Sequence, residues 1–216
     1  MLDKKYISQE EMEYITTQVL RRSEIPFSWK GHVEKIDIDY IIEFIYDLEI
    51  VWENIDSLDD SGTILAAIKP YDKLIIMNES KKDLFKEKMG TMNFSKAHEL
   101  GHWVLHVTEQ KEYEQMTFFE TEVFHCRNMN KRPPKEIQAD MFAASILMPK
   151  DIVSNAINEL KKKGFVTFPE LYKMANDFEV SISALINRIK NLRLLYIENK
   201  NIYLSEDEAF GQLKLF

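Results

Sequence analysis

Two histidines and a glutamate are spaced for metal-assisted hydrolysis. Residues 98 to 102 read His-Glu-Leu-Gly-His. On an α-helix a step of four residues is about one turn, so His98 and His102 share a face. That spacing lets one neutral ring nitrogen from each histidine bind a single Zn²⁺ at about 2.0–2.1 Å. Glu99 directly follows the first histidine and is placed to accept a proton from the water that such a metal activates.

The helix that carries this motif is readable in the run NFSKAHELGHWVLHV. Its apolar residues recur at steps of three and four, which predicts an amphipathic helix. Asn93 is the predicted N-cap. Gly101 costs about 1 kcal/mol relative to alanine in a helix interior. A glycine at this position therefore indicates the close approach of another backbone or of a substrate.

A catalytic zinc usually has three protein ligands and one water, so a third ligand is needed. His106 lies one turn further along the same helix. Each turn rises about 5.4 Å, so three successive turns spread too far to meet one ion. We therefore interpret His106 as a residue that packs or supports a ligand. His125 beside Cys126 is a weaker candidate, because one cysteine gives no zinc-ribbon spacing.

Two carboxylates are stronger candidates for the third ligand. Glu122 lies twenty residues after the motif, in a stretch whose apolar residues alternate rather than follow a helical period. Glu136 opens a clear helix that two prolines precede. Asp140 lies one turn later on the same face, where it could receive the free ring N–H of a ligating histidine. We prefer Glu136 as ligand with Asp140 supporting a histidine, although a solvated first-turn glutamate is the plainer alternative.

The stretches AHELGHWVLH and EIQADMFAASILMP together resemble the ImmA/IrrE family of zinc metallopeptidases. The likeness extends more weakly over residues 35 to 195, and the segment 107 to 133 between the two motifs is long for the family. The resemblance implies zinc as cofactor. It implies that the zinc ligands are His98, His102 and Glu136 and that the general base is Glu99.

The resemblance also implies a function. Family members are intracellular peptidases that cleave a helix-turn-helix repressor, so that stress or mobile-element genes are switched on. The alternative is a non-catalytic regulator with a structural zinc, or a partner protein of the toxin–antitoxin type. A structural site would be closed by a fourth protein ligand, for which His125 and Cys126 are candidates. An oxyanion donor beyond the metal is also expected, and Tyr71, Tyr113 and His125 all stay open for that role.

Composition agrees with a protein of the cytoplasm. The chain has 216 residues, 45% of them hydrophobic, and a net charge of −8. It has no run of about 18 apolar residues that could span a membrane, and its first residues lack the apolar stretch of a signal peptide. The single cysteine suits a reducing compartment. The negative charge argues against nucleic acid as the main partner.

The pattern of elements predicts an α+β fold. Residues 1–149 should form a mostly helical, zincin-like catalytic domain with a small β-sheet, and residues 150–216 a helical, winged-helix-like subdomain with a hairpin. The sheet is predicted from two strand-like runs within residues 62–78. An extended substrate could add to its edge, although a purely structural hairpin explains the pattern equally well.

Basic residues on the second of the two C-terminal helices make a DNA-reading role conceivable. Arg188, Lys190 and Arg193 cluster there, but Asp177 and Glu179 just before them would oppose the approach of phosphate. Tight DNA binding needs several such cations. We therefore expect this part to pack on the catalytic core or to bind the protein substrate, and not to bind DNA tightly.

Overall fold

A computed structural model describes residues 6–58, 62–107, 133–164, 166–199 and 201–211. Four of the residues named above, Tyr113, Glu122, His125 and Cys126, lie outside these ranges. The helices are α1 (Gln9–Arg22), α2 (Ile38–Tyr40, continued by a π-helical turn Ile41–Ile45), α3 (Lys82–Glu87), α4 (Met89–His106), α5 (Pro134–Leu147), α6 (Lys150–Lys162), α7 (Phe168–Asp177), α8 (Ile182–Asn191) and α9 (Glu206–Gly211). The strands are β1 (Glu49–Glu53), β2 (Ala66–Lys69), β3 (Leu74–Asn78), β4 (Tyr196–Glu198) and β5 (Asn201–Tyr203).

The described residues form a mixed α+β fold, as predicted, with a three-stranded sheet in the order β1-β3-β2. Strand β3 pairs in parallel with β1 and antiparallel with β2, so that Ile76 lies opposite both Val51 and Ala67. Ile75, Ile76 and Met77 are fully buried, which explains why this central strand reads as a continuous apolar run. Strand β2 packs against helix α4 and so joins the sheet to the predicted metal motif.

Helices α4 and α5 pack closely, and Gly101 makes this possible. A Cβ added at Gly101 would lie 3.2 Å from both the Cα and the carbonyl oxygen of Ala139 on α5. That is tighter than an ordinary van der Waals contact between carbons, which is about 3.5–4.0 Å. The close approach of another backbone at this glycine is therefore confirmed, and the neighbour is the second motif helix.

The expectation that Asn93 caps helix α4 is wrong, because the helix begins one turn earlier, at Met89. The Asn93 amide instead donates to the carbonyl oxygen of Glu179, at 3.2 Å. Gly90, which lies about one helical turn before Asn93, also contacts this segment, since a Cβ added at Gly90 would overlap the backbone of Val180. The turn between α7 and α8 is thus docked on the first turns of α4, and the expected packing of the C-terminal helices on the catalytic part is observed.

Arg188, one of the three basic residues noted near the end of the second C-terminal helix, is not available to contact DNA. Its side chain is 1% exposed and forms an ion pair with Glu13 on α1, with 2.8 Å between Nη2 and Oε2. It also donates to Ser145 Oγ and to the carbonyl oxygen of Met148. A guanidinium offers five donors in a fixed fork, and burial is tolerated where they are satisfied. Arg188 therefore ties α8 to α1 and α5 and does not face solvent.

One apolar core contains residues from both sides of the predicted domain boundary. Met12, Phe142, Ile152 and Leu185 all belong to it and are at most 2% exposed. The division at residue 150 and the likeness to a winged helix both stay predictions. Among the described residues, no helix is long and apolar enough to cross a membrane.

The contact at Gly90 leads to a first prediction. Gly90→Ala should destabilise the protein by about 1–3 kcal/mol, because the new methyl group must push the 180–181 backbone away from α4. Gly211→Ala is the matched control, since nothing lies within 4 Å of its added Cβ. Urea unfolding of the two variants measures the difference. Equal midpoints would show that the docking of this turn does not contribute to stability.

The buried ion pair leads to a second prediction. Arg188→Met should lower the free energy of unfolding by about 3 kcal/mol, because it leaves the Glu13 carboxylate largely buried without its cation. Lys86→Met breaks an exposed pair with Asp83 and should cost no more than about 1 kcal/mol. Thermal unfolding distinguishes the two. If both variants unfold at the wild-type temperature, the Arg188 pair does not hold these helices together.

Candidate metal centre

Three buried donor atoms from two helices converge on one point. His98 and His102 lie one turn apart on α4, and Glu136 lies in the first turn of α5. The two histidine Nε2 atoms are 3.0 Å apart. Glu136 Oε2 lies 3.2 Å from His98 Nε2, and the other carboxylate oxygen, Oε1, lies 3.2 Å from His102 Nε2. The spacing argument for the histidines and the preference for Glu136 therefore describe one cluster.

The separations between these atoms fit a single small cation. Donors that bind one tetrahedral ion at about 2.0–2.1 Å lie about 3.3–3.4 Å from one another. The observed distances of 3.0–3.2 Å need only a slight opening to reach this geometry. Two imidazoles and one carboxylate are also the donor set of many catalytic zinc sites. Among the described residues, the group that could hold a metal ion is His98, His102 and Glu136.

Asp140 contacts the ring of His98 on the side away from the cluster. Its carboxylate oxygen lies 2.9 Å from His98 Nδ1, and because a carboxylate accepts, the ring nitrogen donates. A neutral imidazole with its proton on Nδ1 has its lone pair on Nε2, which is the atom that faces the cluster. The two acidic residues of α5 are therefore placed differently: Glu136 lies between the two histidine Nε2 atoms, and Asp140 contacts the far side of the His98 ring.

The electrostatics of the cluster favour positive charge. Burial alone would lower the pKa of His98, but hydrogen bonds to Asp140 and Glu136 outweigh it and raise that pKa to about 10. Burial alone would raise the pKa of Glu136, but the contacts and charges of the His102 and His98 rings hold that pKa well below its usual range. Without a metal, a proton supplies the charge that these donors require. A divalent cation held by the same three side chains would supply two positive charges at this point.

Glu99 is buried beside the cluster. Its side chain is 2% exposed. Burial raises the pKa of the Glu99 carboxyl, and the nearby charges of His98 and His102 act in the opposite direction. A carboxyl next to a metal centre with a pKa above its ordinary value is suited to receive and release a proton.

One polar contact at this site was missed from the sequence. His106 was interpreted as a packing or supporting residue, and the structure places its Nδ1 atom 3.1 Å from His102 Nδ1. Its other ring nitrogen lies 2.9 Å from Gln138 Oε1 on α5. The available signal was that Gln138 lies between Glu136 and Asp140, the two acidic residues of the second motif helix. Tyr71, a candidate oxyanion donor, is exposed in the β2–β3 turn.

Comparison with known protein families gives a match over the part of the chain that contains the cluster. Residues 86–190 match the family model of the IrrE N-terminal-like domain (Peptidase_M78). No curated protein matches the chain significantly. A mixed α+β domain with a buried His-His-Glu cluster on two packed helices is the arrangement of a metallopeptidase domain. The match supports assignment of this part of the chain to the ImmA/IrrE family of metallopeptidases.

The geometry of the cluster leads to a third prediction. His98→Ala and Glu136→Gln should each weaken metal binding by more than the roughly 10–100-fold that the loss of an outer partner costs. The matched controls are His32→Ala and Glu159→Gln, which change exposed side chains and should retain one metal per chain. Elemental analysis after dialysis against a weak chelator measures retention. Full retention in Glu136→Gln would move the third ligand to Glu122.

Proposed function

We propose that this chain is a zinc-dependent endopeptidase whose substrate is a helix-turn-helix transcriptional repressor. The observation that carries the proposal is the buried group His98, His102 and Glu136 with Glu99 beside it. The match to a metallopeptidase family supports the hydrolytic activity. The repressor substrate and the resulting induction of stress or mobile-element genes are inferred from the family resemblance.

His98, His102 and Glu136 would hold the zinc, and Asp140 would keep the His98 ring in the orientation that presents Nε2. Zinc at this site would polarise the scissile carbonyl and allow water to react near neutral pH. Glu99 would accept the proton of the attacking water and later deliver it to the leaving amine. The burial of Glu99 suits this exchange, because a carboxyl in water would bind the proton less readily.

The charge of the chain supports a basic protein substrate in preference to DNA. A net charge of −8 repels nucleic acid and attracts the basic surface of a DNA-binding repressor. Of the three cations that the sequence places on or near α8, only Lys190 and Arg193 are exposed, since Arg188 is paired inside the protein. That number is small for a DNA-binding helix that depends on phosphate contacts.

The direct test is incubation of the purified chain with a helix-turn-helix repressor encoded beside its gene. We expect cleavage at a defined peptide bond, detected by mass spectrometry, which stops with a chelator and returns with added zinc. A metal-loaded chain that leaves the repressor intact but binds it or its DNA would instead support the non-catalytic regulator.

The position of Glu99 leads to a fourth prediction. Glu99→Gln should keep the fold and the bound metal and lose peptidase activity by about 100-fold or more, because the amide cannot accept the proton. Glu87→Gln makes the same change on the exposed surface of α3 and should be fully active. Peptide-bond cleavage and metal content are measured on the same samples. An active, metal-loaded Glu99→Gln protein would exclude Glu99 as the general base.

A further inference from the structure

The two histidines of the cluster are supported in different ways. Asp140 contacts His98 directly, whereas His102 contacts the imidazole of His106, which in turn contacts the amide of Gln138. His102 Nδ1 lies 3.1 Å from His106 Nδ1, and His106 Nε2 lies 2.9 Å from Gln138 Oε1. Both supporting side chains are 6% exposed. Buried polar atoms at such distances are hydrogen-bonded in a defined direction.

The direction of these bonds follows from the amide oxygen of Gln138. A carbonyl oxygen only accepts, so His106 Nε2 must donate to it. In a neutral ring the other nitrogen, His106 Nδ1, then carries a lone pair and accepts from His102 Nδ1. His102 therefore has its proton on Nδ1 and its lone pair on Nε2, the atom that lies 3.0 Å from His98 Nε2 and 3.2 Å from Glu136.

We propose that His106 and Gln138 are positioning residues, which fix the tautomer and the orientation of the His102 ring so that the Nε2 lone pair points at the metal position. The inference rests on the proposed metal site and adds two residues to it. It also assigns a reason for the third histidine of α4: His106 lies too far along the axis to bind the ion with the other two, but it lies one turn from His102, where it can receive that ring's N–H.

The neutral support has a consequence for the charge of the site. A carboxylate behind a ligating histidine makes the ring a stronger base, whereas an amide reached through a second imidazole adds no negative charge. Glu136 and Asp140 are the carboxylates that contact the two histidines of the cluster. The pair His106–Gln138 orients His102 without adding a third carboxylate contact.

Conservative and disruptive substitutions distinguish positioning from packing. His106→Leu and Gln138→Leu remove the hydrogen bonds and keep much of the buried volume. His106→Gln keeps one acceptor and one donor, and Gln138→Glu keeps the acceptor. Ser145→Ala is the control, because it removes a buried hydroxyl of α5 that contacts Arg188 rather than the cluster.

The measured quantity is the zinc affinity, from competition with a chromophoric chelator. We expect the two leucine variants to bind zinc about 10–100-fold more weakly and the His106→Gln, Gln138→Glu and Ser145→Ala proteins to stay within a few-fold of wild type. Wild-type affinity in both leucine variants would overturn the positioning role and leave the metal site intact. A wild-type chain that fails to bind zinc would overturn the proposed function and this inference together.

Nitrogen-15 NMR of the histidine rings tests the same point without any variant. In the zinc-loaded protein we expect the His106 proton on Nε2 and the His102 proton on Nδ1. A His106 ring protonated on Nδ1 would reverse the direction of both bonds and contradict the proposal, even if the leucine variants fail to fold.

Discussion

Inside this protein the electron-donating side chains of His98, His102 and Glu136 contact one another at 3.0–3.2 Å, so they must share a positive charge. This constraint governs the rest of the structure. His98, His102 and Glu136 are each at most 4% exposed, so water cannot satisfy them. The surrounding side chains fix the direction of each donor rather than neutralise it. Asp140 and His106 receive the ring protons on the far side of the two histidines. The lone pairs that remain all face the same point.

The cluster requires α4 and α5 to keep their relative position, because its residues come from both helices. The following contacts of these helices hold them in place. Gly101 lets the two backbones approach at the level of the motif. Lys96, on α4, is 6% exposed and forms an ion pair with Asp39 at 2.7 Å, which joins the helix to α2. Arg188 links α5 to α1 and α8. A shift of one helix by an ångström would separate donors that come from both of them.

Much of this arrangement could be predicted from the sequence. The four-residue spacing of His98 and His102 needs only the helical period, and the proline-led helix of Glu136 needs only known start signals. The burial of the Arg188 side chain could not be predicted, because a basic residue on an amphipathic helix is usually exposed. Its partner, Glu13, is 175 residues away in the sequence. Gln138 was missed for the same reason. The role of the Gln138 amide becomes visible only when the fold places it against the His106 ring of another helix.

The most direct test of the account is the coordination of zinc in the loaded protein, measured by anomalous diffraction at the zinc edge. The account predicts Nε2 of His98 and His102 at about 2.0–2.1 Å, a Glu136 oxygen at about 2.0–2.2 Å, and a fourth position without a protein ligand. A site closed by four protein ligands, or an ion bound away from these three residues, would contradict it.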